Sequence, residues 1–156
     1  MLKKFFSLFT ALLITCLLCV NAFAVENNEQ SIIHYFEDGS YIVTTLSEES
    51  DGISLFATST KTGRKTDTCY NANHEVLWSA TLTGTFSYTG TSATCTNASV
   101  TYSIQDTSWR IVSAEAYESG ATAIGDVTGK RYVLGINVDS FTAHLEITCS
   151  PTGVLS

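Results

Sequence analysis

Between Val76 and Tyr88 the chain reads VLWSATLTGTFSY. Trp78, Ala80, Leu82, Gly84, Phe86 and Tyr88 alternate without a break against Ser79, Thr81, Thr83, Thr85 and Ser87. Successive side chains on a strand point to opposite faces, whereas a helix repeats about every 3.6 residues. Only a strand gathers these aromatic side chains on one face and the hydroxyls on the other. A chain built on this stretch needs a second sheet to cover the aromatic face.

Strand signals are nearly continuous from Arg64 onward, and turn chemistry separates them at Asn71 to His74, Thr89-Gly90, Ser119-Gly120, Thr128-Gly129 and Asp139-Ser140. This spacing predicts an all-β fold, an antiparallel β-sandwich, with a small β-barrel as the alternative. The inward phase flips between Cys95 and Ala98, which makes Asn97 a candidate β-bulge. Trp109 to Tyr117 is apolar in both phases and reads as an irregular strand, because Ile111 and Val112 are β-branched.

Upstream, Asp38-Gly39 lies between two β-rich runs and predicts a two-residue hairpin that sets Phe36 opposite Tyr41 and His34 opposite Val43. Ser47 to Gly63 reads as a linker. The expected organisation is therefore a signal peptide over 1–24, an N-terminal hairpin and linker over 25–60, and a sandwich domain over 61–156.

The leader rests on Lys3 and Lys4, the apolar run Phe5 to Val20, and the cleavage signal Ala22-Phe23-Ala24. Neither Cys16 nor Cys19 follows a small residue, which argues against lipidation. The expected product is secreted or extracellular, at most associated with a cell surface, with no membrane span in the mature chain. Loss of the leader removes two of eight bases and no acid, leaving six against 15, a net of −9. A surface so acidic excludes nucleic acid as a natural partner.

Cys69, Cys95 and Cys149 remain after the leader. Cys149 continues the apolar series Phe141, Ala143, Leu145, Ile147, and Cys95 shares its phase with Ala93, so both are expected to point inward. Phase thus predicts a Cys95–Cys149 disulfide in an oxidising compartment, two buried reduced thiols being the alternative. Cys69 shares a face with Lys65 and Asp67 and is expected toward solvent.

No constellation demands a particular chemistry. His34, His74 and His144 have no ligand-spaced partners, so neither a metal nor another cofactor is expected. No Gly-x-Ser-x-Gly elbow occurs. Glu115, Glu118 and Asp126 lie near one another in the chain, but solvated surface acids explain them. Of the two tryptophans, Trp78 is in phase with Leu82 and Phe86 and reads as core. Trp109, beside Asp106 and Arg110, is the candidate ligand-binding residue.

The run Leu77-Trp78, Gly84-Thr85-Phe86, Thr91 to Thr96, and Thr148-Cys149-Ser150 with Gly153 resembles a group of small secreted β-proteins from Gram-positive anaerobic bacteria. The resemblance covers about Lys61 to Ser156. It implies the β fold, matches the pair Cys95 and Cys149, leaves Cys69 outside the pattern, and carries no activity. The functional expectation is a non-catalytic extracellular binding or interaction protein whose ligand is a glycan or a protein. The alternatives are a small secreted hydrolase with acids from separate strands, or an antimicrobial or toxin-like β-protein.

Overall fold

The computed structural model describes residues 30–49 and 58–156. The expected leader and the apolar patch Ile53 to Phe56 lie outside the described residues. Strands β1 (Gln30–Tyr35), β2 (Tyr41–Glu49), β3 (Ser59–Tyr70), β4 (Val76–Tyr88) and β5 (Ala93–Ile104) form a five-stranded antiparallel sheet in chain order. Strands β6 (Trp109–Ser119), β7 (Thr122–Val133) and β8 (Ile136–Thr148) form a three-stranded antiparallel sheet. Neither closes into a barrel; the two sheets face each other as a β-sandwich. Among the described residues there is no helix, and so none long and apolar enough to cross a membrane.

The alternation in β4 does what it predicts. Trp78, Ala80, Leu82 and Phe86 are all buried, and they meet Ala123 and Val127 of β7 and Ala143, Leu145 and Ile147 of β8. Each fully buried large apolar side chain contributes roughly 1.5–3 kcal/mol, so this seam is the main source of cohesion between the sheets. The hydroxyl face of β4 turns outward and continues across the sheet, with Thr45, Thr66, Thr81 and Thr101 in register on four adjacent strands.

The two ends of the sandwich differ. At one end the C-terminal tail folds back: Leu155 bridges to Cys149 and packs over Gly63, while Gly153 lies against the Tyr88 ring. Cys95 and Cys149 flank the β6–β7 turn here, their N–H groups donating to the consecutive carbonyls of Gly120 (2.8 Å) and Ala121 (3.0 Å). Among the described residues nothing comparable caps the other end.

Several local expectations are corrected. The first hairpin pairs Tyr35 with Tyr41 and His34 with Ile42, one residue out of the predicted register. Its loop has three residues, because Gly39 adopts φ 81° and Phe36 N–H bonds to the Ser40 carbonyl. A slip of one residue reverses every side chain, and Tyr35, Tyr41 and Tyr70 consequently stack along the outer face. The stretch Ser47 to Gly63 is strand at both ends, with Glu48 and Glu49 paired to Gly63 and Thr62.

Asp139-Ser140 is no turn; β8 runs through it, and the chain reverses at Leu134-Gly135, both at positive φ. Thr128-Gly129 lies inside β7, where the missing side chain of Gly129 makes room for the Phe141 ring. The phase flip in β5 is a bulge at the expected place, since Thr85 pairs with Asn97 and Phe86 with Cys95, leaving Thr96 over. Trp109 to Tyr117 is indeed strand, bulged at Val112.

Cys69 is buried, not exposed. It shares a face with Lys65 and Asp67 as expected, but that face is the inner one, since Cys69 stands opposite Trp78. The two charges are tolerated because the inner face of β3 is only partly covered. Lys65 Nζ reaches the Glu146 carbonyl (3.0 Å) and Asp67 accepts the Thr44 hydroxyl (2.6 Å).

A candidate ligand-binding cleft

The uncapped end opens into a cleft of about 790 Å³ between the sheets. Four connections and strand ends build it: the β1–β2 loop around Asp38, the β3–β4 turn at Asn71 to Asn73, the β5–β6 connection at Asp106, and the β7–β8 ladder at Arg131, Asp139 and Phe141. Cys69, Trp78 and Trp109 also line it.

Its apolar wall is a stack of three rings. Phe141 lies parallel to Trp78, centroids 3.7 Å apart with a 5° interplanar angle, and Trp109 leans on the other rings with its centroid 5.4 Å from Phe141. Trp78 is 2% exposed and Trp109 7%. Trp109 is thus a core residue that also borders the cleft, the one candidate from the sequence that the structure brings to a concave surface.

The indole N–H groups of both tryptophans are buried without an acceptor in the protein, and so is the Ser108 hydroxyl beside Trp109. Leaving a buried donor unpaired costs on the order of 1–3 kcal/mol. Both tryptophans line the cleft, but their Nε1 atoms have no accessible surface, so what this wall offers a ligand is ring surface rather than donors.

The rim is charged. Trp109, Arg131 and Asp139 stand side by side across β6, β7 and β8. The Asp38 carboxyl is held below the usual carboxylate range, chiefly because it accepts from the hydroxyl (2.6 Å) and N–H (2.9 Å) of Ser40, with Arg131 adding a smaller attraction. Asp106 accepts from Ser108 N–H (2.9 Å), which fixes the turn leading into Trp109. Burial pushes the Cys69 thiol up to about 11, and the carboxylates of Asp38 and Asp139 push the same way. At neutral pH that thiol is protonated and a poor nucleophile.

No family model, curated protein or solved structure matches the chain.

The histidines stay away from the cleft wall. Tyr41 and His74 are hydrogen-bonded through the phenol oxygen and Nδ1 at 2.8 Å. His144 sits between Asp126 (2.6 Å) and Glu146 (3.2 Å), whose hydrogen bonds raise its pKa above the ordinary value. Among the described residues no group of three His, Cys, Asp or Glu side chains could hold a metal ion. Glu115, Glu118 and Asp126 do not line the cleft either; Glu118 instead accepts the Ala98 N–H at the β5–β6 edge (3.0 Å).

Asp38, Arg131, Asp139 and Phe141 were not legible as site residues. They come from segments about a hundred residues apart, and only the open end of the sandwich assembles them. The available signal was Phe141, an aromatic residue at the start of a clean inward series.

Cys69, Cys95 and Cys149 are all buried free thiols. No disulfide joins Cys95 to Cys149, so both fill the core as small apolar groups, and burial raises both thiol pKa values.

Proposed function

We propose that the protein is a secreted, non-catalytic binding protein of the group its sequence resembles, and that it takes a glycan in the open-end cleft. The observation that carries this reading is the open-end cleft itself, with the rings of Trp78, Trp109 and Phe141 in its wall and Asp38, Asp106, Arg131 and Asp139 around them. A sugar ring matches such a wall and rim. Its oxygens accept from the Arg131 guanidinium, its hydroxyls donate to the carboxylates of Asp38, Asp106 and Asp139, and its apolar face lies against aromatic edges.

Titration of tryptophan fluorescence with oligosaccharides and soluble cell-wall fragments tests it. A saturable change with at least one glycan is expected, weakened about tenfold or more by Arg131→Ala, which removes a charged rim donor worth roughly 1.5–3 kcal/mol while leaving the aromatic wall intact. A flat response to the whole panel would sink the reading.

Acids from two loops and one strand, Asp38, Asp106 and Asp139, do line the cleft, which is the observation that favours a hydrolase as second reading. Against it, Asp38 is shifted away from the range of a general acid. Release of reducing ends during the same titrations would move the balance toward hydrolysis.

Export into an oxidising compartment belongs to the same proposal, and with it oxidation of the two thiols that flank the β6–β7 turn. Intact-mass measurement of the exported protein after alkylation is expected to show one reactive thiol, Cys69, under denaturing conditions. Three alkylated cysteines would mean that the pair stays reduced.

A further inference from the structure

The β7–β8 hairpin reaches past the body of the sandwich. β6 begins at Trp109, which pairs with Arg131, so the rungs Tyr132–Asn137 and Val133–Ile136 have no strand on the β6 side. This overhang carries Val133, Leu134, Ile136 and Val138, which are 46%, 98%, 67% and 54% exposed. The outermost residue, Leu134, sits at φ 51°, a conformation that leucine rarely adopts and that asparagine or glycine would fill with less strain. The tip thus keeps an apolar side chain where both solvation and backbone geometry favour another residue.

The charges behind the tip say what it meets. Of the six bases that follow the expected leader, three stand at its foot: Arg110, Lys130 and Arg131. Arg110 faces Lys130 in the β6–β7 register, and its guanidinium lies 5.4 Å from the centre of the Tyr132 ring. Asp139 stands opposite Arg131, which leaves Arg110 and Lys130 as the bases available to a partner. On the outer flank of the hairpin an apolar point is thus collared by a tyrosine and backed by Arg110 and Lys130, while the acids Asp38, Asp106 and Asp139 lie on the cleft side. That order from tip to base matches the layers of a lipid surface: acyl boundary, interfacial region, anionic headgroup.

We propose that the Tyr132–Val138 tip docks the protein on an anionic phospholipid surface. From Tyr132 to Leu134 the strand advances about 7 Å, within the roughly 5–10 Å that interfacial segments penetrate. A two-stranded tip is far smaller than the roughly 800 Å² per partner of a standard protein interface, which favours lipid over a protein partner. This inference is independent of what the cleft binds; the rim acids Asp38, Asp106 and Asp139 require that the Arg110–Lys130 flank, and not the cleft mouth, turn toward the surface.

The test is flotation of protein recovered from the medium of an exporting host, with vesicles of phosphatidylcholine alone or mixed with phosphatidylglycerol. Binding to the anionic vesicles is expected to exceed binding to neutral ones by about tenfold and to fall with added salt. Leu134→Asn is expected to weaken it by about tenfold or more while melting no lower than the parent, since asparagine suits the positive φ. Lys130→Glu should weaken binding to the anionic vesicles only. Equal binding to both vesicle types, absence of binding, or an unaffected Leu134→Asn protein would each overturn the proposal. So would a parent that sediments as a dimer dissociated by Leu134→Asn, which would assign the tip to self-association.

Discussion

Replacing Gly84 with valine is expected to lower the unfolding free energy by about 3 kcal/mol or more, the upper end of what overpacking costs. Gly84 lies in β4, level with Gly63 on β3 and Ala98 on β5, and faces Ala123 of the opposite sheet. A Cβ there would lie 2.7 Å from the Ala123 Cβ of the opposite sheet and 2.7 Å from the Phe86 Cζ. The first is an atom fixed to backbone and the second belongs to a ring with no exposed surface. Neither can retreat without moving a strand.

Because native stability is of the order of 5–15 kcal/mol, such a loss should be plain in urea denaturation, with the midpoint falling and the slope unchanged. Thr83→Val, one residue away on the outer hydroxyl face, should stay within about 0.5 kcal/mol of the parent. Comparable effects at the two positions would mean that the sheets do not meet at Gly84.

The contrast between these neighbours explains what the sequence could and could not reveal. In β4 one face is buried from Trp78 to Phe86 and the other is half-exposed throughout, so the alternation of residue types and the alternation of burial coincide. β3 breaks that agreement. Its inner face carries Lys65 and Asp67, which survive because their polar ends find Glu146 and Thr44 at the margin of the core, and this inverted the reading of Cys69. The hairpin turns failed for a different reason. Asp38-Gly39 uses its glycine to close a three-residue loop, and Leu134-Gly135 is a turn that side-chain preference alone would not choose.

The cleft was the least legible feature. A binding site at the end of a sandwich is assembled from loops and strand termini far apart in the chain, so no local spacing announces it. What the sequence did carry was its aromatic wall: Trp78 as the first inward residue of β4, Trp109 at the start of β6, and Phe141 in β8.

Trp78→Ala should destabilise the protein by about 3–5 kcal/mol and abolish binding in the cleft. Trp78 is 2% exposed, pairs with Cys69 and Ile104 in register, and lies flat on Phe141, so truncation leaves a hole that the flanking strands cannot close. Trp78→Phe separates the two roles of the residue. The smaller ring loses packing, but it also removes a buried donor that has no acceptor in the protein, and relief of that penalty offsets part of the loss. The net cost expected is under about 1.5 kcal/mol. A folded Trp78→Phe protein that has lost glycan affinity would show that the full indole ring shapes the wall the ligand needs. One that binds like the parent would return Trp78 to structure alone and leave the charged rim of Asp38, Arg131 and Asp139 as the part of the site that matters.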